Sequence, residues 1–394
     1  MDQDTAKRDK NSLKIVIAPD SYKGYLTAEE AAQAIKAGCA QVLSDADYRL
    51  LPLADGGEGT VATLISAKYG RRVAAQVENP FGKLVTSNYG LIDNDQTAVI
   101  EMAAASGFEF IDFQHPQVGV ADTYGTGQLI LDALNHGVTK IIIGLGGSAT
   151  NDGGAGLLTA VGVKLLDSNQ QPIPRGGLGL AQLAKIDVSD IDQRFEHVEI
   201  VGATDVTNPL TGPEGASVVF GPQKGADDTM VARLDQALVN YSAVIRKNLG
   251  IEINDVSGAG AAGGLGAGLV AGLHVKLTSG IRLILSEMSF EDAVQDADLV
   301  ITGEGSIDSQ TQYGKAPSIV AQQARLKAPT SYILGIGGRV GGGIEGLYEQ
   351  GFNQIEAIQV RPELGDPKAN AQENLTITMA KIIQEMLTQD RLPV

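Results

Sequence analysis

A short, largely apolar run that ends in a loop of Gly, Asp, Ser or Thr and leads into a helix-like stretch recurs along this 394-residue chain. Residues 14–18 (KIVIA) run into 19–24 (PDSYKG), and 48–53 into 54–59 (ADGGEG). Residues 140–143 precede the loop 144–156, 197–201 precede 204–209, 299–302 precede 303–308, and 331–334 precede 335–339. Continuous runs rich in β-branched and other apolar residues suit strands covered on both faces. Their alternation with helices predicts a parallel sheet in an α/β protein.

The first intervening helix is well marked. Thr27 is its expected N-cap, with Glu30 three residues on completing a capping box, and Ala31, Ile35, Cys39 and Val42 recur on one face. Residues 71–77, 84–91 and 98–101 break the rhythm. They are β-like, separated by turns at 79–82 and 93–94, and are expected to be antiparallel. The economical organisation is one α/β domain from residues 13–70 and 285–394, a second α/β domain inserted at 71–284, and a flexible tail at 1–12.

Composition narrows the function. With 30 basic and 47 acidic residues the net charge is −17, and no basic–aromatic stripe is present, which argues against nucleic-acid binding. The single cysteine, Cys39, permits neither an internal disulfide nor a CxxC metal site and favours a reducing, cytoplasmic setting. Residues 1–12 hold no apolar leader. Residues 256–275 carry no Asp, Glu, Lys or Arg, but seven are glycine, so a buried small-residue helix is expected and not a membrane span.

In open α/β sheets ligands bind beyond the carboxyl ends of the strands. Asp20, Asp55, Asp152, Asp205, Glu304 and Asp308 each follow an apolar run at that end. Carboxylates with no nearby His or Cys suit Mg²⁺ better than Zn²⁺. His115, His136, His197 and His274 lie outside these loops, and no GxSxG is present. Glycine-rich loops offer peptide N–H groups to anions, and 144–156 is the best candidate, with Gly144, Gly146, Gly147 and Ser148 at its start. Lys23, Lys224, Lys315 and Arg339 sit in glycine-rich contexts. Each alone is expected to be a solvated surface charge, and Lys23 is the strongest functional candidate. Gly314-Lys315 is no Walker A motif, because Ser309 and Ala316 break the pattern. The GxGxxG at 258–263 lacks a preceding strand and reads as close helix packing. Metal-suited acids and a phosphate loop make phosphoryl transfer the leading reaction class.

The motifs KIVIAPDSYKGYLTAEEAA (14–32), PLADGGEGT (52–60), AVIEMAAASG (98–107), DTYGTGQLI (122–130), IIIGLGGSATNDGGAG (141–156), TDVTNPLTGPEGAS (204–217), VFGPQKGA (219–226), GAGAAGGLGAGL (258–269) and LVITGEGSIDSQTQYGKAP (299–317) are similar to those of the bacterial-type glycerate kinases, the glycerate 2-kinase family. Tyr22 stands where that family often has Phe, Thr204 where it often has Cys, and 337–343 is unusually rich in glycine. The resemblance implies a flavodoxin-like parallel-sheet domain with a second mixed α/β domain inserted and the active site in the cleft between them. It also implies ATP- and Mg²⁺-dependent phosphorylation of D-glycerate, usually to 2-phosphoglycerate.

On that basis Asp205 is the expected base, with Lys23 and Asp20 also catalytic. Asp55, Asp152 and Glu304 are expected at the metal. Gly144, Gly146, Gly147, Ser148 and Lys315 are expected on the nucleotide, and Ser21, Asn208 and Arg339 on the substrate. The competing readings are a non-catalytic hydroxy-acid sensor and a kinase for another small hydroxy-acid.

Overall fold

The computed structural model describes residues 12–54, 57, 59–361 and 365–392. Its strands are β1 (Lys14–Ile17), β2 (Asp47–Leu50), β3 (Arg71–Glu78), β4 (Leu84–Ile92), β5 (Thr97–Glu101), β6 (Lys140–Gly144), β7 (Lys164–Leu166), β8 (Lys185–Asp187), β9 (Glu199–Ala203), β10 (Lys276–Thr278), β11 (Leu299–Ile307), β12 (Tyr332–Val340) and β13 (Gln354–Ala357). The chain divides into two compact units, Met1–Ala54 with Ile284–Val394, and Asp55–Leu283.

The first unit holds a five-stranded sheet in the order β13-β12-β11-β1-β2, every neighbour parallel. Numbered within the unit, this is the flavodoxin-like order 2-1-3-4-5, whose reversal point falls between β1 and β11. Ile15 and Ile17 are fully buried, as expected for a central strand of a sheet covered on both sides. The helix Ala28–Ala40 begins at the Thr27 capping box, with Glu30 closing it from both directions. Ala31, Ile35 and Cys39 form its buried stripe. It lies close against the C-terminal helix Ala371–Thr388, where a Cβ on Gly38 would stand only 2.7 Å from Met379 Cβ. Burial pushes the Cys39 thiol up to about 12, so it is an inert packing group.

The strands β11 and β12 run further than their apolar runs predict. Residues 303–307 and 335–340, expected as loops, continue the ladder as far as Ile307↔Val340. The glycines permit this by admitting the buried Tyr22 ring, whose hydroxyl donates to the Ile336 carbonyl at 2.7 Å. Glu304 is therefore fixed on a strand and not on a flexible loop.

The second unit holds a six-stranded sheet, β10-β9-β6-β5-β4-β3. The expected antiparallel strands are β3, β4 and the β4 side of β5, which on its other edge runs parallel to β6. β6/β9 and β9/β10 are parallel, and β7 and β8 form a separate antiparallel pair. The helix Thr60–Lys68, expected with the first domain, lies in this unit and packs on β4, where Ile65 would crowd a Cβ at Gly90 at 3.1 Å.

The charge-free stretch forms the buried helix Ala261–Leu273, interrupted by left-handed residues at Ala262, Gly263 and Gly264. The interruption brings Gly263 against the Thr150 carbonyl, which no side chain would allow, and the Gly263 carbonyl accepts the Gly153 N–H at 3.0 Å. Among the described residues no helix is long and apolar enough to cross a membrane.

Candidate functional site

In the first unit the carboxyl ends of β1 and β11 flank the point where the strand order reverses. The Asp20 N–H donates to the Gly303 carbonyl at 2.8 Å, and Asp20 Oδ1 accepts the Ser21 N–H at 2.6 Å. Lys23, at the tip of the same turn, is exposed. Glu304 Oε1 accepts the Thr311 hydroxyl at 2.8 Å, and its other oxygen lies 3.5 Å from Lys315 Nζ. Burial raises the Glu304 carboxyl above its ordinary range, against the pull of Thr311 and Lys315. Asp308 is held below the usual carboxylate range, chiefly by the Gln310 N–H. Ser306 Oγ donates to Asp308 at 3.2 Å and accepts from Arg339 Nη2 at 3.3 Å. Asp20, Ser21, Lys23, Glu304, Lys315 and Arg339 are thus gathered at one sheet end.

In the second unit the loop after β6 lies beside the loop after β9. The Leu145 N–H donates to the Ala203 carbonyl at 3.0 Å, while Phe108 N–H and the Ser106 carbonyl bond Gly147 and Ala149 from the other side. The peptide N–H groups of Gly146, Gly147 and Ser148 donate to no acceptor among the described residues. Gly147 has φ +75° and is exposed, and Gly146 packs so closely on Gly57 that a Cβ would lie 2.6 Å from Gly57 Cα. Successive free N–H groups around a left-handed glycine form an anion-binding concavity. Gly144 ends the strand that carries them.

Asp205, at the end of β9, is exposed and accepts the Ser279 hydroxyl at 2.7 Å. Asn208 braces the same loop: its Nδ2 donates to the Glu214 carbonyl at 2.8 Å, and its carbonyl accepts the Gly260 N–H at 3.0 Å.

Two expectations change. Asp152 is fully buried, and its oxygens accept the Thr123 N–H, the Thr123 hydroxyl and the N–H groups of Gly154 and Gly156, at 2.9 to 3.0 Å. Asp152, expected at the metal, is a buried clamp on the loop, with three donors on Oδ2 and the Gly154 N–H alone on Oδ1. Burial, then Asp122, raises its carboxyl. Lys224 is no solvated charge, being 2% exposed with Nζ 2.8 Å from Ser148 Oγ and 2.6 Å from the Thr150 carbonyl. Asp55 lies outside the described residues.

Sequence reasoning also missed Arg175. It grips Asp122 through Nε at 2.6 Å and Nη2 at 2.8 Å and Glu78 through Nη1 at 2.7 Å, and it stacks 4.3 Å from the Tyr124 ring. Asp122 and Arg175 are far apart in the chain and share no local pattern. Among the described residues no three His, Cys, Asp or Glu side chains converge as a metal cage.

The sequence profile of the Glycerate kinase family matches residues 15–387. A glycerate kinase of Halalkalibacterium halodurans is 49% identical over 88% of this chain and 91% of its own length. The glycerate 2-kinase of Escherichia coli (strain K12) is 47% identical over 88% of this chain and 90% of its own. A crystal structure of a protein assigned as glycerate kinase 2 from Salmonella typhimurium LT2 superposes with a TM-score of 0.87 at 45% identity, covering 97% of this chain and 100% of that one. These similarities agree with the resemblance carried by the motifs.

Proposed function

The chain belongs to the glycerate kinase family, and from that premise we propose that it transfers the terminal phosphoryl group of ATP to D-glycerate, giving 2-phosphoglycerate. The observation that carries the reading is the run of N–H groups at Gly146, Gly147 and Ser148 that have no acceptor among the described residues, which suits the phosphates of a nucleotide. The name of the E. coli relative supports the 2-position.

Phosphoryl transfer asks little covalent chemistry of a protein, so positioning and charge compensation do most of the work. Asp205 takes the proton of the attacking hydroxyl: its carboxylate is exposed at a strand end and oriented by Ser279. Lys23 and Lys315 compensate phosphate charge. Ser21, Asn208 and Arg339 take the polar groups of glycerate. Mg²⁺ commonly uses one or two carboxylates, with waters and phosphate oxygens completing its shell, so a three-acid cage is not needed. Asp20 and Glu304 fit that donor set and would hold the ion, which when bound neutralises charge on the phosphate oxygens.

The test is phosphorus NMR of the product formed from D-glycerate, ATP and Mg²⁺. A phosphorus coupled to the single proton on carbon 2 is expected. Coupling to the two protons of carbon 3 would overturn the 2-position, and no phosphoglycerate at all would overturn the activity.

A further inference from the structure

Lys224 buries an amino group that the transfer reaction as described does not use and that burial leaves charged only up to about pH 7 while no anion is docked. Its ammonium has two protein acceptors, Ser148 Oγ at 2.8 Å and the Thr150 carbonyl at 2.6 Å, and among the described residues no carboxylate forms an ion pair with it. Asp152 acts on it electrostatically, but that carboxylate accepts its hydrogen bonds from Thr123, Gly154 and Gly156. A buried cation short of a counter-ion is costly, and the cost falls when an anion docks nearby.

The surroundings supply the place for one. Because an ammonium can only donate, Ser148 Oγ accepts from Lys224 and its own proton is left for another acceptor. None is present among the described residues. That hydroxyl belongs to the same loop as the N–H groups of Gly146, Gly147 and Ser148, which have no acceptor among the described residues. Thr150 Oγ1, one turn of loop further in, is fully buried and also unpartnered. Exposure falls along the same path: Gly147 is exposed, Gly146 half-buried, Ser148 and Lys224 buried. Hydrogen bonds in such a chain polarise one another, so an oxyanion on Ser148 would feel the ammonium behind it.

We propose that Lys224 is a positioning residue for the phosphates of the nucleotide, fixing Ser148 and the Thr150 carbonyl from behind and giving the 146–148 loop the buried positive charge against which an oxyanion docks. This rests on the reading of that loop as the phosphate site. The carboxylate of glycerate is the other anion such a loop could take, and the experiment separates the two.

Lys224→Met, Ser148→Ala and Gly147→Ala are compared with the wild-type protein by calorimetric titration with Mg-ATP and with D-glycerate, and by steady-state kinetics. Lys224→Met is expected to melt cooperatively and to bind ATP about 10- to 100-fold more weakly, the range for losing a hydrogen-bonded charge. KM for ATP should rise with it, with KM for glycerate within about twofold of wild type. Ser148→Ala should move the same parameters in the same direction by less. A general packing defect would not single out one substrate.

If Lys224→Met folds and binds ATP normally while Gly147→Ala does not, the role of Lys224 is overturned and the phosphate loop stands. If neither substitution weakens ATP, the loop reading falls too. If glycerate affinity alone is lost, the docked anion is a carboxylate and the proposal is wrong. Should Lys224→Met fail to fold, Ser148→Ala decides, and unchanged ATP affinity there overturns the proposal.

Discussion

Asp205 and Lys224 make opposite demands on a side chain. Asp205 is exposed and held by Ser279 among others, as suits the proposed role of reaching an incoming hydroxyl and taking its proton. Asp205→Asn keeps the shape and the Ser279 bond but removes the basic oxygen. It should lower kcat by about 10²–10⁴, the usual scale for lost general-base catalysis, with the melting temperature unchanged. Turnover near wild type would remove Asp205 from that role. For Lys224, burial lowers the ammonium from 10.5 to about 7. Between those values the unfolded chain still holds a proton that the folded chain has released, so this residue makes stability rise with pH from about 7 upward. In Lys224→Met that dependence is gone. The melting temperature of the variant relative to wild type should be most favourable below pH 7 and lose its advantage toward pH 10. A difference that stays flat across that range would mean the lysine is not buried as described.

Between the residue and the fold stands the loop after β6, whose shape comes from what surrounds it. Asp152 ties Gly154 and Gly156 to Thr123, Arg175 pins the neighbouring Asp122, and Gly263 presses on the Thr150 carbonyl. Asp152→Ala would orphan several buried donors at once and should cost about 3 kcal/mol or more by urea unfolding, with or without Mg²⁺. A variant as stable as wild type, inactive only for want of metal, would return Asp152 to the ligand role. This is also where sequence reading stops. The apolar runs locate β1, β6, β9, β11 and β12, and the Thr27–Glu30 pair locates the first helix, because those signals are local. Acids at strand ends look alike in sequence, whereas in the fold Asp152 is fully buried among its donors and Asp20 is only half-buried. Lys224 reads as a surface lysine because its burial depends on Ser148 and Thr150, more than seventy positions away. The glycine-rich ends of β11 and β12 read as loops because their pairing is invisible until the two strands lie side by side.

At the scale of the whole chain, the two units are built with different reach. Each has an apolar core of its own: Tyr89, Leu129, Ile141, Ile143 and Tyr241 in one, Ile15, Ile17, Ile301, Ile336 and Met379 in the other. In the first unit β1 lies between β2 and β11, and the Thr302 hydroxyl reaches back 284 positions to the Ala18 carbonyl. Such a pairing closes a very long loop, and loop closure must be met before the contact rewards it. The second unit is one continuous segment whose six strands pair among themselves, so nothing outside it is needed to complete its sheet. Residues 55–283 expressed alone should therefore fold, with a single cooperative urea transition and a tyrosine near-ultraviolet signal. Residues 12–54 alone should not, since β1 would lose β11 and leave Ile15 and Ile17 facing water. A 55–283 fragment with no cooperative transition would show that its core, large as it is, depends on the rest of the chain.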